Sequence, residues 1–414
     1  MMTLDRQQMR LLFPLGTAMA LSLTGDSTMY AVLANQIDVV GISLGVVGVL
    51  LGANRMIRIP GNLLAGSFYD RAGRRPLFLV GLTLGIVSTL SYGFVRGFWP
   101  LLLGRALWGI AWSLINVGGY TMILDRSTDV DRGRMTGFYQ MAFMAGLTIS
   151  PILGGALTDA LGFRQAVRIC ALVSSAGLAV AVVALPETRP PGGQRSRPAW
   201  EIPNRQRLVQ WAGKLRRVDR RILTASYIYL VTLFVNSGVL MSTLGLYLEQ
   251  RWGPEITLGT SVIGVASLAG VMLGMRAVLG ILAGPVAGML SDRIGNRWPV
   301  VRGGIWLGAS GFLVLAFLGV VGAVPVGVAG VSLGAGALAT ALAALVGDMA
   351  EGGRQGVTMG GLATAGDIGS ALGPPLAYAL AVTLDLRWVY LFCAFALASG
   401  LVAVAAQGRG PVKT

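Results

Sequence analysis

The 414-residue chain contains no histidine, only two lysines (Lys214 and Lys413) and only two cysteines (Cys170 and Cys393). Without histidine, His-based metal sites and Ser-His-Asp hydrolysis are excluded. Neither lysine ends a G-x-x-x-x-G-K-[ST] run, so no loop here can grip ATP phosphates, and an ATP-driven pump in this chain alone is disfavoured. The cysteines sit in apolar stretches and read as small buried hydrophobes, not a disulfide or redox pair. Charged residues make up 12% of the chain, about half the share of a soluble domain, which argues against a soluble globular enzyme. No metal or cofactor is expected. The first apolar run is too long for a signal-peptide h-region and lacks a clear cleavage site, so no cleavable signal peptide is expected.

Apolar length is what the sequence has in abundance: 54% of the residues are hydrophobic. Twelve membrane helices need about 240 to 290 apolar residues. Twelve spans are legible, at about 11–37, 43–69, 76–95, 99–124, 135–158, 164–185, 222–248, 258–290, 299–321, 325–347, 356–383 and 387–407. The predicted fold is an all-α membrane protein with twelve transmembrane helices in two pseudo-symmetric six-helix bundles. The expected domains are an N-terminal bundle (1–185), a basic cytoplasmic linker (186–221) and a C-terminal bundle (222–414). The linker opens with Pro186-Glu187-Thr188-Arg189-Pro190, which ends a helix. Its stretch from Arg205 to Arg221 is read as a solvated basic linker, with a surface-lying basic helix as the alternative.

The net charge of +15 is a topology signal. With both termini and the even-to-odd connections on one side, that side holds 24 of the 33 basic residues, and the other side holds only Arg96, Arg164, Arg168, Arg251 and Arg387. Basic loops stay cytoplasmic, so both termini are expected inside a cell membrane. No aromatic-basic module points to nucleic acid.

The halves repeat each other. Gly66, Asp70, Arg71, Gly73 and Arg75 return as Gly288, Asp292, Arg293, Gly295 and Arg297 at an offset of 222, and Asp125, Gly137 and Gly146 return as Asp348, Gly360 and Gly369 at an offset of 223. Two six-helix halves in the same orientation follow from this. In the loop after the second span, Gly66 is read as allowing close helix approach, Asp70 as facing a helix N-terminus or a basic partner, and Gly73 as permitting a tight turn. Arg71, Arg74 and Arg75 can pair with acids such as Asp125.

That loop, Gly66-Ser67-Phe68-Tyr69-Asp70-Arg71-Ala72-Gly73-Arg74-Arg75, resembles the signature of the major facilitator superfamily, Gly-x-Leu-x-Asp-Arg-x-Gly-Arg-Arg/Lys, with Phe68 in place of leucine. The resemblance covers the chain apart from its termini and linker. It implies that the cluster latches the two halves shut on the cytoplasmic side during alternating access. Leu101-x-x-x-Arg105-x-x-x-Gly109 is similar to the family's second motif, whose membrane arginine is linked with proton coupling. Gly137-x8-Gly146-x3-Ser150-Pro151-x2-Gly154-Gly155 resembles the antiporter motif of the proton-coupled drug exporters, with Ser150 standing where that motif has glycine. The same glycines also suit a close-packed, kinked helix.

Six ionisable residues fall within spans: Asp26, Arg55, Arg58, Arg105, Arg276 and Asp367. Each charge at the bilayer centre costs roughly 2.5 to 3.5 kcal/mol on insertion scales. Such residues therefore face water or pair with one another. Asn54, Arg55, Arg58 and Asn62 share about 100° of the second helix. Ser22, Asp26 and Tyr30 share a face of the first. Arg105, Trp108, Gly109, Trp112 and Asn116 line the fourth. Together they describe a cavity with cationic, aromatic and amide walls, to which Tyr227, Tyr229, Phe234 and Asn236 of span seven are assigned as well. Arg276, near the repeat-equivalent of Asn54, lacks a stripe of partners and takes a weaker role. Asp367 is read as a proton site or a cavity-lining residue.

The expected function is secondary active transport of a small molecule by alternating access, in a monomer surrounded by lipid. The preferred reading is proton-coupled efflux of amphipathic compounds, with Asp26 or Asp367 carrying the proton. The alternative is an organic anion, carboxylate or organophosphate, bound by Arg55, Arg58 and Arg105. A transporter-like sensor or enzyme remains as a third class; a static ion-pair network is the structural alternative for the membrane charges.

Overall fold

A computed structural model describes residues 5–128, 131–189, 219–258, 261–349 and 355–406. It contains twelve long helices: α1 (Arg6–Val32), α2 (Leu44–Arg71), α3 (Arg74–Tyr92), α4 (Phe98–Arg126), α5 (Arg132–Leu161), α6 (Phe163–Ala184), α7 (Arg220–Trp252), α8 (Val265–Ile294), α9 (Trp298–Phe317), α10 (Ala323–Met349), α11 (Gln355–Ala381) and α12 (Leu386–Ala405). All twelve expected spans are helical over most of their length. Their starts follow local chemistry. Asp5 opens α1 with a capping box, its side chain accepting the Arg6 N–H while the Gln8 amide oxygen accepts the Asp5 N–H at 3.1 Å. The chain leaves α1 through a 3-10 turn at Leu33–Gln36 and reverses at Gly41, whose φ of 68° suits a residue without Cβ.

Two departures matter for function. The eighth span was expected from residue 258, but α8 begins at Val265; Glu255–Leu258 (β1) and Ser261–Gly264 (β2) form an antiparallel hairpin with Ile256 opposite Ile263. The β-branched residues Ile256, Thr257, Val262 and Ile263 favour this conformation, and Gly253, at φ 82°, turns the chain into it after α7. The second departure lies inside α7. Residues Phe234–Leu240 are π-helical, between α-helical Arg220–Leu233 and Met241–Trp252. Such single-turn widenings occur often at functional sites.

Among the described residues, nine of the twelve long helices are apolar enough throughout an 18-residue window to cross a membrane by composition alone; α1, α2 and α11 are the exceptions. Those three carry Asp26, Arg55, Arg58 and Asp367. The described residues form two compact units, one from Met1–Trp200 with Leu244–Gly274 and the other from Glu201–Thr243 with Met275–Thr414. The tip made by the end of α7, the hairpin and the first residues of α8 therefore belongs to the first unit. The first unit is built around a buried cluster that includes Leu12, Leu15, Phe78, Met122 and Tyr139. The basic linker expected at 186–221 lies outside the described residues over 190–218. Cys170 and Cys393 are both buried free thiols.

Candidate functional site

The first unit gathers its membrane charges where α1, α2 and α4 meet. Arg105 is 0% exposed, and its Nη1 donates to Asp26 Oδ1 at 2.6 Å while its Nε donates to Leu50 O at 3.1 Å. Asp26 Oδ1 also accepts from Asn54 Nδ2 at 3.0 Å. The Tyr30 hydroxyl lies 2.9 Å from Leu51 O and 3.1 Å from Asn54 Oδ1, and accepts from Arg55 Nε at 3.1 Å. The guanidinium carbons of Arg55 and Arg105 each stand 5.3 Å from the centre of the Tyr30 ring, a cation–π arrangement that spreads positive charge over the aromatic face. Asp26 thus pairs with Arg105, and Tyr30 sits between the guanidinium groups of Arg105 and Arg55. Arg105 Nη2 is buried without a hydrogen-bond partner among the described residues, a donor held at a cost in an apolar setting.

Helix geometry explains how this assembles. Gly109 faces α2, where a Cβ would fall 2.7 Å from Asn54 O, so the missing side chain lets α4 approach the polar turn of α2. Arg58 stacks on Trp112, 5.0 Å from its ring centre, and Trp112 meets Phe143 of α5 at 5.6 Å. Trp108 and Trp112 stack at 6.4 Å and both belong to the buried apolar cluster, where a Cβ on Gly85 of α3 would touch Trp108 at 2.8 Å. Three residues beyond Arg105, Trp108 is rotated by about 60° from the Arg105 face. Asn62 and Asn116 are half-buried; Asn62 Oδ1 has no hydrogen-bond partner among the described residues.

Asp367 does not join this network. It lies on α11 in the second unit with an exposed side chain, and its backbone carbonyl accepts from the Ser370 hydroxyl at 3.0 Å. Arg276 is better placed than its sequence context suggested. Its Nη1 points at Asn236 Oδ1, 3.4 Å away, and its Nη2 at Met241 Sδ, 3.3 Å away. Asn236 is carried by the π-helical turn of α7, which no sequence pattern announced.

A second polar cluster ties the ends of α2, α3, α4 and α6. Arg74 Nε pairs with Asp125 Oδ2 at 3.0 Å, and the Thr188 hydroxyl donates to the same oxygen at 3.0 Å. Glu187 caps α3: its carboxylate accepts the backbone N–H of Arg74 at 3.0 Å and of Arg75 at 3.2 Å. Partial burial pushes the Glu187 carboxyl up, but the backbone N–H groups of Arg189, Arg74, Arg75 and Thr188 outweigh it and hold its pKa below the usual glutamate value. Arg126 Nη2 donates to Glu187 O at 3.1 Å, Arg189 Nη1 to Arg71 O at 2.8 Å, and Arg75 Nη2 to Val182 O. Asp70 and the Arg71 side chain are exposed.

Two glycine roles need correction. Gly73 has φ −63°, open to any residue; space is what it provides, since a Cβ would lie 2.8 Å from Glu187 Oε2. Gly66 is not at a tight helix contact, for a Cβ there meets nothing within 4 Å. Its repeat partner Gly288 would make ordinary contact with Thr340 at 3.6 Å. A positive φ is required instead at Gly295, at 69°. In the second unit Arg297 pairs with Asp292 and, through Nε, with Asp348 Oδ2 at 3.1 Å; Arg293 is exposed. Arg297 thereby corresponds to Arg74, at the 223 offset shared by Asp125 and Asp348, and not to Arg75. Asn296 is the extra residue that shifts the frame.

The glycine-rich stretch of α5 is a packing surface along most of its length. A Cβ on Gly146 would meet Ala20 O of α1 at 2.8 Å, one on Gly154 would fall 1.8 Å from Thr28 Oγ1, and one on Gly155 would fall 2.1 Å from Ala266 O of α8. Gly137 has open space. Ser150 is buried, and its backbone carbonyl accepts from the Thr28 hydroxyl at 3.5 Å.

The family model described as Major Facilitator Superfamily matches residues 15–283 and 264–412. The chain is 28% identical over 175 residues to MFS antiporter QDR3 of Candida albicans, which is 42% of this chain and 24% of that protein. It is 24% identical over 175 residues to the inner membrane transport protein YajR of Escherichia coli, 42% of this chain and 38% of that one. The matched segments thus span well under half of the length of these relatives. Among solved structures, a bacterial homolog to the human lysosomal transporter Spinster, in an inward-facing and occupied conformation, superposes with a TM-score of 0.75 at 16% identity, covering 97% of both chains. That likeness concerns the fold.

Proposed function

The chain belongs to the major facilitator superfamily, a family of multi-pass membrane transporters of small molecules, and from that premise we propose that it is a proton-coupled secondary transporter whose coupling element is the Asp26–Arg105 pair. The observation that carries this reading is the pair itself. A fully buried guanidinium is held at 2.6 Å by a carboxylate that also accepts from Asn54. Protonation of Asp26 removes the charge that Arg105 pairs with, so proton binding and rearrangement of α1 against α4 are linked. The aromatic wall of Trp112 and Phe143 and the close-packed α5 suit efflux of amphipathic compounds, and the name of the Candida albicans relative is that of an antiporter. The Arg74–Asp125 and Arg297–Asp348 pairs serve as gates on the side that positive loop charge assigns to the cytoplasm, with both termini on that side of the cell membrane.

One observation favours a second substrate class. Arg58 stacks on Trp112 and Arg55 leans on Tyr30, which puts guanidinium groups beside aromatic faces. This pairing of cationic and aromatic groups fits an organic anion with an apolar body. Proteoliposome flux under an imposed pH gradient tests the proposal. Efflux of a lipophilic cation or an aryl carboxylate that follows ΔpH in the wild type and ceases to follow it in Asp26→Asn is expected. Flux indifferent to ΔpH in the wild type overturns proton coupling; competition by simple carboxylates, lost in Arg58→Gln, selects the anion.

A further inference from the structure

The end of the helices opposite the Gly66–Arg75 loop carries two polar contacts that the coupling pair does not explain. Both lie within the first compact unit. Asp159 occupies the last turn of α5, where a negative charge faces the negative end of its own helix and is disfavoured. Its carboxylate turns instead to α8, and Oδ2 accepts the Ser267 N–H at 2.6 Å. Ser267 is in the first turn of α8, which starts after Gly264. Gly264 has no side chain to cap the helix, and a Cβ there would fall 2.2 Å from the Asp159 carboxylate. The carboxylate from α5 therefore fills the place of the missing N-cap side chain, on the positive end of α8. Backbones meet closely in the neighbouring turns: a Cβ on Gly155 would lie 2.1 Å from Ala266 O, and one on Gly270 would lie 2.1 Å from Pro151 O.

The second contact joins the exit of α1 to the last turns of α7. Asn35 Nδ2 donates to Glu249 Oε2 at 2.6 Å and to Gly245 O at 3.1 Å. Gly245 fits against α1 only because it lacks a side chain, a Cβ being 2.5 Å from Ala31 O. Neither contact is a copy of the arginine–carboxylate gates. The positions 223 residues after Asn35 and Asp159 are Leu258 and Val382.

We infer that Asp159 and Asn35 form a latch that docks the Leu244–Gly274 tip onto α5 and α1, and that release of this tip opens the end opposite the Gly66–Arg75 loop. The role rests on the alternating-access part of the proposal above, because only a protein that opens at both ends needs a releasable contact here. A carboxylate on a helix end and an amide on a carbonyl are suited to that task. They fix a close-packed contact in one geometry, yet they come apart without leaving a bare ion pair in the apolar interior.

The test uses the full chain in nanodiscs, with Cys170 and Cys393 replaced by alanine and spin labels at Leu161 and Val262. These label sites are 53% and 61% exposed, on either side of the contact. Asp159→Ala is expected to raise the ratio of long to short distances roughly tenfold, the shift that loss of one charged helix cap produces. Asp159→Asn keeps an acceptor oxygen and loses the charge, so an intermediate shift of about threefold is expected. Asn35→Ala is expected to move the ratio in the same direction. Distance distributions in Asp159→Asn and Asn35→Ala that match the wild type overturn the latch. Proteoliposome flux separates the two ideas: a shifted distance with no flux of any probe sinks the transport proposal alone, and intact flux with unshifted distances sinks the latch alone.

Discussion

Replacing Asp26 by alanine removes the carboxylate that pairs with Arg105 while leaving the guanidinium 0% exposed. Breaking a buried pair from one side costs about 3–5 kcal/mol because the remaining charge is uncompensated. The lower end applies here. Arg105 keeps Leu50 O as an acceptor and the Tyr30 ring as a cation–π neighbour, so about 3 kcal/mol is expected. Asp26→Asn retains an acceptor for Arg105 and Asn54 and is expected to cost about 1–2 kcal/mol. The decisive variant is the double one. Asp26→Ala with Arg105→Met removes both charges and fills part of the space with an apolar chain, and it is expected to recover most of the loss. Unfolding by SDS in mixed micelles, followed by tryptophan fluorescence, ranks the four proteins, since Trp108 and Trp112 lie on the same helix as Arg105. A double variant no more stable than Asp26→Ala, or an Asp26→Ala protein as stable as the wild type, refutes the claim that the two charges are a mutually compensating buried pair.

Three further outcomes follow from the geometry. Gly154→Ala places a Cβ 1.8 Å from Thr28 Oγ1 and is expected to destabilise by about 1–3 kcal/mol, whereas Gly137→Ala, with nothing within 4 Å, is expected to be neutral or to stabilise by up to about 1 kcal/mol; thermal melting of the two variants compares them directly. Glu187→Gln weakens the cap on α3 by no more than about 1 kcal/mol. Because the Glu187 pKa is lowered on folding, its contribution is present above the ordinary glutamate pKa and is lost as pH falls through the folded value, so the wild type and Glu187→Gln should converge in melting temperature on acidification; a constant difference across that range contradicts the cap. Arg297→Gln should free Asp348 and raise thiol labelling of a cysteine placed at exposed Asn296 from the side proposed to be cytoplasmic, while an Arg293→Gln control, exposed and outside the Arg297 pairs, should not.

Much of the architecture was legible because membrane helices are long and obey a simple rule of apolar length. The residues that violate the rule were also informative: Asp26, Arg55 and Arg105 stand out in apolar spans, and the structure brings them together around Tyr30 and Asn54. Helix periodicity placed Arg105, Gly109 and Trp112 on one face but could not tell which neighbouring helix Trp108, about 60° away, would meet. Span eight was started too early because Ile256, Val262 and Ile263 are apolar in either conformation. The π-helical turn at Asn236 has no sequence period of its own, and Arg276 therefore looked isolated. Glu187 was missed for a different reason. Pro186-Glu187-Thr188-Arg189 was read as a helix stop, and only the fold shows that the carboxylate returns to Arg74 and Arg75. A carboxylate directly after a helix-ending proline, with arginine-rich loops elsewhere, was the available signal. Asp159 falls one residue past the expected end of the fifth span, and only the fold shows that it lies in the last turn of a helix, where an acid calls for a partner elsewhere.

The proposed transport requires that both aqueous sides reach the cluster around Asp26, Arg105 and Arg58 by turns. A cysteine in place of Arg58, in a chain without Cys170 and Cys393, can be challenged with a membrane-impermeant thiol reagent applied to right-side-out and to inside-out vesicles. Modification from both sides, with labelling from one side rising as that from the other falls when pH is changed, is the predicted result. Modification confined to a single side under every condition, in protein that still carries out flux, would contradict it.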